Sequence, residues 1–139
     1  MRTLAHATLG DCIIVAFARQ LAAQDWKNYE RFLRANLGQR QRSLVISETK
    51  LSNEQRRRME DIIGPARERD RRVAIVTCST LVRGFAKALS LFDPAFRGFS
   101  PGELEQAFHH VELPPASFPV ARRLANELCA QVGLPPLEP

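Results

Sequence analysis

Ser43-Leu44-Val45-Ile46-Ser47 is a short apolar run bounded by serines, and Ser52-Asn53-Glu54-Gln55 follows it after a brief polar gap. A run this short, β-branched and without polar alternation, reads as a strand buried on both faces. Ser52 with Gln55 three positions later forms a capping box: the serine oxygen accepts a free N–H and the glutamine reaches back. The stretch therefore predicts strand, loop and helix in order. That helix carries Met59, Ile62 and Ile63 on one side, and Gly64-Pro65 must kink or end it.

The same unit recurs outward in both directions. Upstream, Cys12-Ile13-Ile14-Val15-Ala16-Phe17 is another continuously apolar strand, preceded by Leu4–Thr8 and a Gly10-Asp11 hairpin turn. Asp25 is placed to cap a helix running to about Leu37, with Gly38 at its end and Trp26, Tyr29, Leu33 and Leu37 in one stripe. Downstream, Arg72-Val73-Ala74-Ile75-Val76-Thr77 is a third buried strand. Residues 79–92 then read as a helix with Leu81, Val82, Phe85, Leu89 and Phe92 on its apolar side, closed by Asp93-Pro94. Phe96-Arg97-Gly98-Phe99 is a short edge strand. Ser100-Pro101-Gly102-Glu103 starts a further helix with Leu104, Ala107, Phe108 and Val111 facing the core. After Leu113-Pro114-Pro115, a last helix at about 119–132 is amphipathic through Val120, Leu124, Leu128 and Val132. Residues 1–133 thus form one domain, with 134–139 expected as a flexible tail.

Strands joined through helices lie parallel, and right-handed crossovers place the helices over the sheet. The expected fold is α/β: a mixed, mostly parallel sheet of about five strands, with an N-terminal hairpin and covering helices. At 139 residues, 45% hydrophobic and 25% charged, the chain can bury a real core. It has no apolar run near the roughly 18 residues a membrane span needs, and no apolar leader follows Arg2. Three cysteines, Cys12, Cys78 and Cys129, are odd in number and suit reduced thiols in a cytoplasm.

The net charge is +5, with seventeen Arg against three Lys. Basic residues gather in the middle of the chain, among them Arg40, Arg42, Lys50, Arg56, Arg57, Arg58, Arg67, Arg69, Arg71 and Arg72. Glu48, Glu54, Glu60, Asp61, Glu68 and Asp70 interleave with them, and no aromatic lies between Arg56 and Arg72. Acids within the run and missing stacking groups argue against nucleic acid and for a solvated helix face.

This order of elements resembles the STAS fold of anti-sigma-factor antagonists and sulfate-transporter tails, including related bacterial proteins likened to CRAL-TRIO lipid-binding domains. The resemblance covers roughly residues 4–112. It rests on Ser43–Ser47 with its Ser52-capped helix, on Arg72–Thr77, and on the closing segment Phe96–Ala107; the helix at about 119–132 is an addition to the minimal fold. It implies a regulatory protein-interaction module of bacterial signalling type. In that family a serine or threonine at the start of the helix after the third strand is phosphorylated. The matching loop here is Ser47, Glu48, Thr49, Lys50, Leu51 and Ser52, with Ser52 the positional match, although the family's Asp and Gly are absent.

Parallel α/β sheets bind ligands beyond the carboxyl ends of their strands. Two such ends carry small polar residues: Ser47, Glu48 and Thr49, with Ser52 beyond them, and the neighbouring rim Thr77, Cys78, Ser79 and Thr80. Cys78, between a strand and a helix N-terminus, is the sharpest nucleophile candidate. A cysteine phosphatase needs an arginine six residues after the cysteine; Arg83 arrives one residue early, and Leu81 and Val82 replace the small residues of a phosphate loop. Adjacent His109 and His110 diverge by about 100° on a helix and read as a solvated helix end; His6 reads as a strand surface residue. No catalytic set, metal site or cofactor motif emerges. The expectation is a non-enzymatic, cytoplasmic module that binds a protein partner or a second copy of itself. A CRAL-TRIO-like pocket for lipid or another small hydrophobic ligand is the alternative, and a Cys78-dependent enzyme a third reading.

Overall fold

The computed structural model describes residues 2–36, 41–49, 51–63 and 71–137. Five strands form one sheet: β1 (Leu4–Leu9), β2 (Cys12–Phe17), β3 (Gln41–Ser47), β4 (Arg71–Val76) and β5 (Phe96–Phe99). Helices α1 (Ala23–Asn36), α2 (Asn53–Ile63) and α3 (Thr80–Phe92) connect β2 to β5, and α4 (Leu104–His110) and α5 (Phe118–Gln131) follow. The strands lie in chain order, β1-β2-β3-β4-β5. Only β1 and β2 are antiparallel; the other three pairings are parallel. The α/β class with a mixed five-stranded sheet is as the apolar runs require.

Sequential order has a consequence for the layers. Three right-handed crossovers all stepping the same way put α1, α2 and α3 on one face of the sheet. The opposite face is left for α4 and α5. Side-chain alternation divides the strands accordingly. Ile13, Val15 and Phe17 pack with Trp26, Tyr29 and Leu33 of α1. Cys12, Ile14, Ala16, Leu44, Ile46, Ala74 and Val76 pack against α4 and α5. All six residues of β2 are buried, as a strand covered on both faces must be.

Turn and cap chemistry follows the sequence closely. Gly10 takes φ +58° in the hairpin, a conformation that suits glycine. Gln55 N–H donates to the Ser52 Oγ at 3.1 Å, and Ser52 N–H donates to Gln55 Oε1 at 2.9 Å, completing the box at the start of α2. Glu103 Oε1 accepts from the Ser100 N–H at 2.9 Å; a 3-10 turn at Pro101–Glu103 precedes α4.

Several expectations need correction. Helix α1 begins two residues before Asp25, whose carboxylate accepts instead from the Thr3 N–H at 2.9 Å and hydroxyl at 2.6 Å, tying β1 to the helix. Leu81 is 69% exposed, not core, because Val82 and Ala86 face the sheet. Val120 is also outside the core stripe of α5, which runs through Phe118, Ala121, Ala125, Leu128 and Cys129. The segment expected as a loose tail packs: Leu134 and Leu137 are buried, and Leu137 N–H donates to Asn126 Oδ1 at 2.8 Å. His110 is buried, its Nε2 2.8 Å from the Ala95 carbonyl oxygen, while His109 stays exposed. Leu37, Gly38, Gly64 and Pro65 lie outside the described residues, as do Arg40, Lys50, Arg67, Glu68, Arg69 and Asp70.

Buried charge also departs from the solvated face expected of the basic middle. Arg42 is 3% exposed and donates to Glu112 at 2.5 Å; Arg71 is buried, pairs with Asp93 and stacks over Phe96. Both clamp the amino ends of β3 and β4 to the opposite layer or to the β5 connection. Arg58 of α2 donates through Nε to both oxygens of the buried Glu30 on α1, at 2.8 and 2.9 Å. Arg56 and Arg57 remain exposed.

Candidate functional site

At the carboxyl end of the sheet, β3 and β4 run side by side to Ile46 and Val76, which are register partners. Their next residues, Ser47 and Thr77, are both buried. A buried hydroxyl must find a partner, and each turns to its own loop. Ser47 Oγ donates to the Thr49 carbonyl at 2.7 Å and accepts from the Thr49 N–H at 3.3 Å. Thr77 Oγ1 accepts from the Ser79 N–H at 3.0 Å. Both loops are thereby folded into tight local turns.

Glu48 joins the two loops. Its Oε1 accepts from the Cys78 backbone N–H at 3.0 Å, and its Oε2 lies 3.5 Å from the Thr77 hydroxyl. This cross-strand bridge places a carboxylate between the strand ends. Ser79 then caps α3, its Oγ accepting from the Val82 N–H at 3.2 Å. The rim expected at Ser47, Glu48 and Thr49 and that at Thr77, Cys78, Ser79 and Thr80 are therefore one connected structure. Ser52 stands at its side on the first turn of α2, exposed and engaged in its cap.

The groups left facing solvent are few. Ser52, Cys78 and Thr80 are exposed, and Thr49 and Ser79 are half-buried. Beneath the rim lies Cys129 of α5, whose thiol is pushed up to about 11, chiefly by burial and further by the charge of Glu48 and by Cys78. Cys12, also buried, rises to about 12 for the same leading reason. Arg83 closes the first turn of α3, its N–H donating to the Ser79 carbonyl at 3.0 Å, and its backbone packs toward β5 beside Gly98.

Among the described residues, no group of three or more His, Cys, Asp or Glu side chains could hold a metal ion. Among them, too, no helix is long and apolar enough to cross a membrane. A depression at the start of α4, lined by Gly102, Glu103, Leu104, Glu105, Gln106 and Arg122, encloses about 170 Å³. That is less than the roughly 300 Å³ at which small-molecule pockets begin.

What the sequence did not signal is the Glu48 bridge itself. Two loops separated by about thirty positions meet only because β3 and β4 are neighbours. A glutamate directly after a strand is common, and nothing in its spacing names its acceptor role. No family model, curated protein or solved structure matches the chain.

Proposed function

We propose that this protein is a non-enzymatic regulatory module of the STAS-like kind, acting in the cytoplasm and binding a protein partner through the carboxyl-end rim of its sheet. The observation that carries the reading is the Glu48 bridge. The position where an α/β enzyme gathers its reacting groups holds here a carboxylate that accepts from the Cys78 N–H and reaches the Thr77 hydroxyl, joining two loops. A rim built this way presents a shaped, preorganised surface rather than reaction machinery. The sequential strand order and N-terminal hairpin support the same family likeness.

Regulation by charge fits the local chemistry. Ser52 caps α2, so a phosphate there would meet the positive end of the helix dipole and the N–H groups of its first turn. Thr49, in the same loop, is half-buried and would be forced outward by the same modification.

The test is a pull-down from the source cells with quantitative mass spectrometry, using wild-type protein and a Thr49→Glu/Ser52→Glu variant of verified fold. The reading expects at least one partner to be depleted by the variant. An unchanged partner profile would overturn it.

A further inference from the structure

Strand β1 closes one side of the sheet, and its outer edge is open. The Ala18 N–H donates to the Thr3 carbonyl at 2.8 Å. Antiparallel pairing alternates, so Ala5, Ala7 and Leu9 turn their backbone groups to β2. Leu4, His6 and Thr8 turn theirs away from the sheet. Among the described residues, nothing bonds to those outward N–H and C=O groups.

Sheets ordinarily guard such an edge with charge, proline, a bulge or brevity. The opposite edge, β5, is four residues long and carries Arg97. β1 has none of these devices. It runs six residues, Leu-Ala-His-Ala-Thr-Leu, paired with β2 without a break from Leu4 to Leu9. Its one titratable group, His6, is held below its ordinary pKa by partial burial and by the charge of Arg2, so it is neutral above pH 7.

Apolar side chains flank the edge on both faces. On the α1 side, the half-buried Phe32 stacks on His6, ring centroids 4.0 Å apart. On the other side, two contacts fix how α5 is turned. Arg122 pairs with Glu105 of α4 on its inner flank, and Gln131 accepts from Arg2, just before β1, on its outer flank. Leu124 and Val120 lie within about 20° of Gln131 around the helix. Leu124 is half-buried and Val120 is 36% exposed. The outer flank of α5 is thus apolar beside an open strand.

We infer that β1 pairs antiparallel with β1 of a second copy of this chain, His6 opposite His6, joining the two five-stranded sheets into one. The strand is complementary to itself about that point. Only this register pairs all the outward groups, Leu4 with Thr8 and His6 with His6, for about six hydrogen bonds. Leu4, His6 and Thr8 of both copies then share one face, and Ala5, Ala7 and Leu9 the other, so the apolar layers continue across the seam. At each end Arg2 comes opposite Gly10 and beside Asp11 of the other copy; both charges are exposed and of opposite sign. Helix α5 packs over β1 and β2. With strands about 4.8 Å apart, the two α5 helices run antiparallel about 10 Å apart, an ordinary helix-packing distance. Leu124, at mid-helix, stands nearest the two-fold axis. A foreign strand would gain the backbone bonds but neither the Arg2–Asp11 pairs nor the α5 contact. The seam is about 20 Å long and about 25 Å deep through α5, the sheet and the Phe32 side. That gives roughly 1,000 Å² over both copies, the low end of specific interfaces, and a reversible dimer.

Sedimentation velocity of the full chain at pH 8, from about 5 to about 500 µM, should show that dimer. His6→Lys sets two cations opposite each other, and Val120→Lys charges the α5 flank. Each should raise the dissociation constant at least about tenfold; both positions are exposed, and circular dichroism verifies the fold. Register is read by cysteine pairing in a Cys78→Ser background. His6→Cys should form a disulfide-linked dimer under mild oxidation. Thr8→Cys, whose two copies lie about 14 Å apart in this register, should not. A monomer throughout the range, a dimer indifferent to both lysines, or cross-linking at 8 as strong as at 6 would each overturn the proposal. Benzoylphenylalanine at position 8 in the source cells should capture this chain; capture of another protein in its place would put a foreign strand on the edge and overturn it too. The carboxyl-end rim is a separate surface, so loss of the dimer leaves the Thr49→Glu/Ser52→Glu test standing.

Discussion

Gly98 of β5 and Ala86 of α3 are in closest approach: a Cβ built on Gly98 would stand 2.9 Å from the Cβ of Ala86. The edge strand and the third crossover helix are held at a spacing only glycine permits. Ala86 in turn sets which side of α3 faces the sheet, and hence which side faces solvent.

Gly98→Ala should therefore destabilise the fold by about 1–3 kcal/mol through overpacking. Ala86→Gly alone should cost about 1 kcal/mol as a helix-interior glycine. The double variant should lose less than the two costs added, because removing one methyl makes room for the other. Urea denaturation of the four proteins measures this directly, and strict additivity would contradict the contact.

Glu112 takes φ +60° while its carboxylate pairs with Arg42 at 2.5 Å and approaches Arg72 at 3.8 Å. Left-handed backbone costs a residue with a Cβ about 1 kcal/mol or more, a penalty glycine escapes. Glu112→Gly and Glu112→Ala both lose the carboxylate. The alanine variant should be the less stable by about 1 kcal/mol, and equal stabilities would remove the strain assigned here.

Thiol titration gives a pH signature. Cys12 and Cys129 have folded values of about 12 and about 11, raised from 9.0 mainly by burial. The unfolded chain releases these protons first, so their contribution is full below about pH 9 and declines as pH rises toward 11–12. Tyr29, raised from 10.0 by burial, adds to the decline above its ordinary value. On the acid side, His110 is lowered from 6.5, chiefly by burial. Its contribution is present above that value and is lost as pH falls below it. Denaturation free energies measured from pH 5 to 10.5 should fall at both ends, and Cys12→Ala should flatten the alkaline limb. Cys78, exposed, should alkylate in the native state, with Cys12 and Cys129 reacting only on unfolding.

Ser52 separates capping from charge. Ser52→Ala removes the acceptor for the Gln55 N–H and should cost about 1 kcal/mol of stability. Ser52→Asp keeps a good N-cap, so its thermal midpoint should stay close to that of wild type. Partner binding that is lost with Asp but kept with Ala would identify charge, not helix fraying, as the controlling variable.

Much of the fold was legible from local chemistry. Cys12–Phe17, Ser43–Ser47 and Arg72–Thr77 are short, β-branched and unalternating, and only burial on both faces satisfies such runs. The Ser52 box, the hairpin glycine and the Ser100-Pro101 start are signals within four residues, and each stands where it was read. Leu81 was misplaced because α3 is apolar nearly all round, so its periodicity does not identify a single buried side. The rim residues were legible as strand ends, but not their union through Glu48.

Local propensity and apolar patterning in the sequence determined the elements, their caps and the parallel arrangement of the central strands, since those depend on neighbours a few residues apart. Strand order, the Glu48 bridge, the burial of Arg42, Arg71 and His110, and the outward turn of Leu81 and Leu91 were decided only by tertiary structure. Each depends on which distant segments become adjacent, and the packing of Ala86 against Gly98 illustrates why: that contact orients a helix whose own pattern leaves its orientation open.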